Sequence, residues 1–140
     1  MADDPSKTRL PPNTPPAPGD DLQVGRNIAH RLADFAVSVV RFSARLPKDP
    51  TGRHIAIQMV RSATAAGANY EEARAAESRP DFIHKAAISL KELREARYWV
   101  ALVQQTGWIE QDLAGMVREA NELAAILGAS VRTARARAAQ

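Results

Sequence analysis

The chain has 140 residues with 19 Lys+Arg against 16 Asp+Glu, a formal net charge of +3, and no cysteine. That length supports one hydrophobic core and hardly two, and the missing thiols exclude disulfides and thiolate metal sites, in keeping with a cytoplasmic protein. The N-terminus lacks the basic and then apolar regions of a secretory signal, and no apolar run approaches the roughly 18 residues of a membrane span, so no membrane partner is expected.

Residues 1–21 carry six of the nine prolines. Pro5, Pro11, Pro12, Pro15, Pro16 and Pro18 stand among Asp, Asn, Thr and Lys. A segment with so little to bury does not offset its ordering entropy, and a disordered tail is expected there. Residues 22–131 read as a four-helix bundle, and 132–140 as a basic C-terminal tail or frayed helix. The fold class is therefore all-α, an antiparallel up-down-up-down bundle.

The first helix starts after Asp20 and Asp21, or a turn later past Gly25, and ends before Pro47. Its stripe is Ile28, Leu32, Phe35, Val39, Phe42 and Leu46, spaced in steps of three and four. Arg31, Asp34, Ser38, Arg41 and Arg45 fall on a polar face. Ala29, Ala33, Ala36, Val37 and Val40 fill the remaining sector, an apolar arc wider than one bundle core requires. Pro47-Lys48-Asp49-Pro50 is a turn with Asp49 or Thr51 as cap. The second helix then carries Ala56, Met59, Val60, Ala63, Ala66, Gly67, Tyr70 and Ala73 inward. Its small residues predict close approach of a neighbouring backbone.

Ser78 is the expected cap of the third helix, with Pro80 and Asp81 in its first turn. Phe82, Ile83, Ala86, Leu90, Leu93, Ala96 and Val100 form its inner stripe. Ile88 and Trp99 lie opposite, close to Glu92 and Glu95, and suit a subunit interface better than solvent. Arg97 projects toward the core, with Glu119 its expected partner. Gly107 ends the helix, and Trp108-Ile109 is expected to plug the turn. The fourth helix follows from about Glu110 with Leu113, Met116, Val117, Ala120, Leu123, Ala124, Leu127 and Val131 inward. Turns of about three to five residues make successive helices antiparallel.

The runs Val60-Arg61-Ser62-Ala63 and Gly67-Ala68-Asn69-Tyr70-Glu71-Glu72-Ala73, followed by Ser78, Asp81-Phe82-Ile83, Lys85, Lys91-Glu92, Glu95 and Tyr98-Trp99, carry a family resemblance. Over roughly Ile28 to Ile109 the chain resembles the four-helix-bundle proteins of the 23S rRNA intervening-sequence family, also called S23-like. The resemblance implies antiparallel bundles assembled into a homopentamer, without established catalysis. A more distant relative, the accessory protein of diversity-generating retroelements, resembles it in fold and presents a basic surface to nucleic acid. This chain departs from such relatives in its modest +3 and its acidic clusters.

Glu71, Glu72, Glu92 and Glu95 invite a di-iron carboxylate reading, but such sites need paired Glu-x-x-His motifs facing inward, and only Asp81-x-x-His84 comes near. Ser62, Ser89, His84, Asp81 and Glu92 supply hydrolytic residue types without a spacing that gathers them. His30, His54 and His84 are scattered, and the glycines form no phosphate-binding loop. The expectation is a non-enzymatic oligomer with no catalytic residue, cofactor or metal. Its expected interface is Ala29, Ala33, Val37, Val40, Ile88, Glu92, Glu95 and Trp99. Asn69, Glu71, Glu72, Lys85, Lys91 and Arg97 are expected to set register and contacts. The alternative is an RNA-binding accessory protein using Arg31, Arg41, Arg45, Arg53, Arg61, Arg132, Arg135 and Arg137, with phosphate contacts repeated around a ring adding by avidity.

Overall fold

The computed structural model describes residues 20–140, with side chains from Gln23 onward. The proline-rich segment expected over residues 1–21 lies outside the described residues except for the backbone of Asp20 and Asp21. Four helices follow in order: α1 (Asp20–Ser43), α2 (Pro50–Arg74), α3 (Arg79–Thr106) and α4 (Ala114–Ala138). Each packs on its neighbour in sequence, α4 closes back on α1, and the α1–α4 seam is the sparsest of the four. The termini alternate, so α1 and α3 begin, and α2 and α4 finish, at one end of the bundle.

The helix ends have local causes. Asp49 caps α2 by accepting from the Gly52 N–H at 2.8 Å, and Pro50 occupies the first turn, where its missing N–H costs nothing. Ser78 Oγ accepts from the Asp81 N–H at 3.2 Å, with Pro80 in the first turn of α3. Gly107 ends α3 with φ +70°, a conformation that costs a side chain dearly. α1 passes Gly25 without a break.

The start of α4 differs from expectation. It begins at Ala114, not near Glu110, because the Asp112 carboxylate accepts from the Ala114 N–H at 2.8 Å and holds the preceding residues off the helix. The connection is correspondingly longer, residues 107–113. Leu113, fully buried, is the plug under the turn. Trp108 stays 37% exposed, while Ile109 packs partly against the core. At the other end, residues 132–138 continue α4 to Ala138, so the basic C-terminal segment is helical.

The α1 residues Ile28, Leu32, Phe35, Val39 and Phe42 are buried, and so is Leu46, in the turn that follows because the helix stops at Ser43 instead of running on to Pro47. Buried too are Met59, Ala63, Ala66, Tyr70 and Ala73 of α2, Leu90, Leu93, Ala96 and Val100 of α3, and Leu123 and Leu127 of α4. Each large side chain of this kind contributes roughly 1.5–3 kcal/mol of transfer free energy, which makes the common core the main source of stability. The small residues of α2 do bring a neighbour close: Ser89 Oγ of α3 donates to the Ala66 carbonyl at 2.6 Å, buried between the helices. Gly67 is less constrained than its company suggests. A methyl group there would sit 3.9 Å from Leu32 Cβ, ordinary van der Waals contact. Gly67→Ala is therefore expected to stabilise the fold by about 0.5–1 kcal/mol through helix propensity and unfolded-state entropy, read as a higher urea midpoint with unchanged slope.

Candidate functional site

The surplus apolar surface of α1 is real, but narrower than the spacing implied. Ala29 is 8% exposed and belongs to the core. Ala33 is exposed, and Val37 and Val40 stand 47% and 46% exposed. Beside them on α2 lies Ile57, at 64% the most exposed large apolar side chain described. The register follows from Gly67 lying against Leu32. Eight residues onward from Leu32 to Val40, and ten back from Gly67 to Ile57, are about 12 and 15 Å in the same direction on antiparallel helices. Val40 and Ile57 thus stand about level on the α1–α2 face, with Val37 about one turn further back along α1 and Ala56 and Val60 partly buried against the core. Sequence reasoning missed Ile57, although its signal was present: an isoleucine two residues past Ile55, off the inward stripe.

The α3 line is occupied differently. Ile88 is half-buried. Trp99 leans on the core, edge-on to Tyr98 at 5.0 Å and to His54 at 6.2 Å between ring centres. Its indole N–H is buried without an acceptor among the described residues. Glu92 and Glu95 both bind the Arg61 guanidinium, Glu92 at 3.2 Å. Within the chain Glu92, Glu95 and Trp99 are therefore already engaged, and Tyr98, 56% exposed, is what α3 shows outward.

The arginines divide in the same way. Arg31 meets Glu119 through two hydrogen bonds of 2.8 and 3.0 Å and Glu122 at 3.0 Å. Donation to the Glu119 carboxylate is the main cause holding this guanidinium further into its charged form. Arg97, expected to claim Glu119 from a core position, is instead exposed and donates to Asn121 Oδ1 at 2.8 Å. Its long chain reaches outward along the α3–α4 flank, keeping the charge in water. Arg61 is held by the two α3 glutamates, and Arg45 donates to Gln111 at 2.7 Å. Arg41 and Arg53 are exposed near the α1–α2 turn, while Arg132, Arg135 and Arg137 occupy the far end of α4. These groups are separated by most of a helix of 25 residues, about 37 Å.

The carboxylates weighed for metal are each matched to a cation: Glu71 to Arg74 at 3.2 Å, Glu72 to Lys85 at 2.6 Å, and Glu92 and Glu95 to Arg61. No cluster of three potential ligands forms among the described residues. Both candidate serines spend their hydroxyls on backbone carbonyls, Ser62 on Gln58 at 2.8 Å and Ser89 on Ala66. No described helix is long and apolar enough to cross a membrane. Asn69 bonds back to the Ala65 carbonyl of its own helix at 2.8 Å.

Helix order, alternating direction and a core to which all four helices contribute define a four-helix bundle. The sequence profile described as 23S rRNA-intervening sequence protein matches residues 26–129, and the chain belongs to that family. It is similar in structure to a protein of unknown function from the S23 ribosomal protein family of Bacteroides thetaiotaomicron VPI-5482. The two share 30% identity and a TM-score of 0.70 over 77% of this chain and 97% of that one. No curated protein matches the chain by sequence.

Proposed function

We propose that this chain is a non-enzymatic, cytoplasmic assembly protein that associates with copies of itself, in the pentameric ring its family resemblance implies, and serves as an adaptor or scaffold. The observation that carries this reading is the exposed apolar group of Val37, Val40 and Ile57 on α1 and α2, each about half exposed or more. Burial of such a set against another copy removes apolar surface from water at roughly 25 cal/mol per Å2. The RNA-binding alternative has weaker support. Arg31 and Arg61 are neutralised by glutamates, and the other arginines fall at opposite ends instead of forming one basic stripe.

The test is the mass of the full chain in solution, by light scattering and sedimentation velocity over a wide concentration range. A particle near five times 15.2 kDa supports the reading. A species of single-chain mass at the highest concentration overturns it.

A further inference from the structure

Where α1 and α3 begin and α2 and α4 finish, the helices splay around an open cavity of about 600 Å3. Small residues cause it: Gly25, Ala73 and Ala134 stand where longer side chains would close the space. The floor is apolar, with Ile28 and Tyr70 almost completely buried and Phe82 and Ile126 half-buried. The rim is cationic, since Arg74 of α2 and Arg137 of α4 both line the cavity from diagonally placed helices. Arg74 shares its charge with Glu71 of its own helix, so these three side chains sum to one net positive charge. Ser130 and Thr133 add hydroxyls to the same wall.

We propose that this cavity binds a small amphiphilic anion, an acidic head on an apolar body of about eight carbons, independently of any assembly on the α1–α2 face. Three features select that class. A volume within roughly 300–1,000 Å3 suits a small molecule, not a peptide or a folded partner. The buried floor of Ile28, Tyr70, Phe82 and Ile126 has no charged group and takes a hydrocarbon or aromatic body. A guanidinium at the rim presents paired N–H donors that match a carboxylate or phosphate head. Burial keeps the Tyr70 phenol above its ordinary value, so at neutral pH it is an uncharged hydroxyl and does not repel the head.

Titration calorimetry of the full chain with butanoate, hexanoate and octanoate tests the proposal, with octanol and inorganic phosphate as probes of the tail and the charge alone. Affinity is expected to rise about fourfold for each added methylene, the fold-change equivalent of ~0.8 kcal/mol. Octanol and phosphate are each expected to bind at least tenfold more weakly than octanoate. Arg137→Ala is expected to weaken octanoate about tenfold or more. Arg135→Ala, which removes the same charge from the same helix outside the cavity, should leave binding unchanged. Ile126→Trp, with helicity checked by circular dichroism, should fill the space and abolish binding. Affinity independent of chain length, equal loss from both arginine variants, no octanoate binding, or binding to phosphatidylglycerol vesicles without binding to free octanoate would each overturn the proposal.

Discussion

Gly52→Ala is expected to destabilise the protein by about 2–4 kcal/mol, although it adds one methyl group to a helix. A Cβ on Gly52 would lie 2.1 Å from the Pro47 carbonyl oxygen and 2.8 Å from its carbon. Gly107 is the only glycine with positive φ among the described residues, so the difficulty at Gly52 is space and not backbone conformation. The obstacle is main chain, and it has little room to retreat. Leu46, buried just before Pro47, anchors one side of the turn, and Ile55, buried one turn into α2, anchors the other. Pro47 and Pro50 restrict the dihedrals between them. Any shift that relieves the clash also disturbs the bond from the Gly52 N–H to Asp49 that starts α2. Against a total stability of roughly 5–15 kcal/mol, such a loss lowers the melting temperature by about 10 °C. Gly115→Ala is the matched control: its Cβ would meet only Arg118 Nη2, at 3.7 Å, and the change should be neutral or mildly stabilising. Denaturant unfolding of both variants decides the matter, and a Gly52→Ala protein within 1 kcal/mol of its parent would refute the account.

Gly52 also marks the limit of what patterning reveals. Most of the inward stripes follow from three-and-four spacing because burial on a helix repeats with its turn, although Ile83 stays half-buried off the core and the buried Ile55 and Val103 were not among the expected residues. The caps Asp49, Ser78 and Gly107 follow from local chemistry. Neither signal knows that a carbonyl from the preceding turn passes over Gly52. The same gap explains the start of α4. Glu110, Gln111 and Asp112 are compatible with helix, and only the core position of Leu113, with Asp112 capping Ala114, moves the boundary. Angular position also says where a Cα points, not where a long side chain ends. Trp99 starts from the flank of α3, yet its indole folds back between His54 and the core, and Arg97 starts near the inner side yet ends in water beside Asn121. Of the surplus surface, Val37 and Val40 were legible as a sector too wide for one core. Ile57 joins them only once the register of α1 against α2 is known.

Combining Val37→Glu with Ile57→Glu is expected to convert the proposed assembly to single chains, with a loss of at least about a thousandfold in association. Both side chains already face water in the protomer, at 47% and 64% exposure, so carboxylates there leave the fold nearly untouched. In an interface the same carboxylates lose their hydration. Arg53, four residues before Ile57, and Arg41, four residues after Val37, are the exposed arginines nearest to them, but a pair of that kind along a helix contributes only about 0.2–0.5 kcal/mol and leaves most of the lost hydration uncompensated. An uncompensated buried charge costs several kcal/mol, and two of them in each subunit recur at every contact around a ring. Trp99→Glu would be a poorer probe, because Trp99 packs on the core and its loss damages the protomer itself. Ala125→Glu, on the exposed side of α4, supplies a control that adds charge elsewhere. Circular dichroism should show full helicity in all three proteins. Sedimentation should show the parent and Ala125→Glu assembled and the double variant at single-chain mass, with a melting temperature that no longer depends on concentration. A double variant sedimenting with the parent at equal concentration would place the contact on another face.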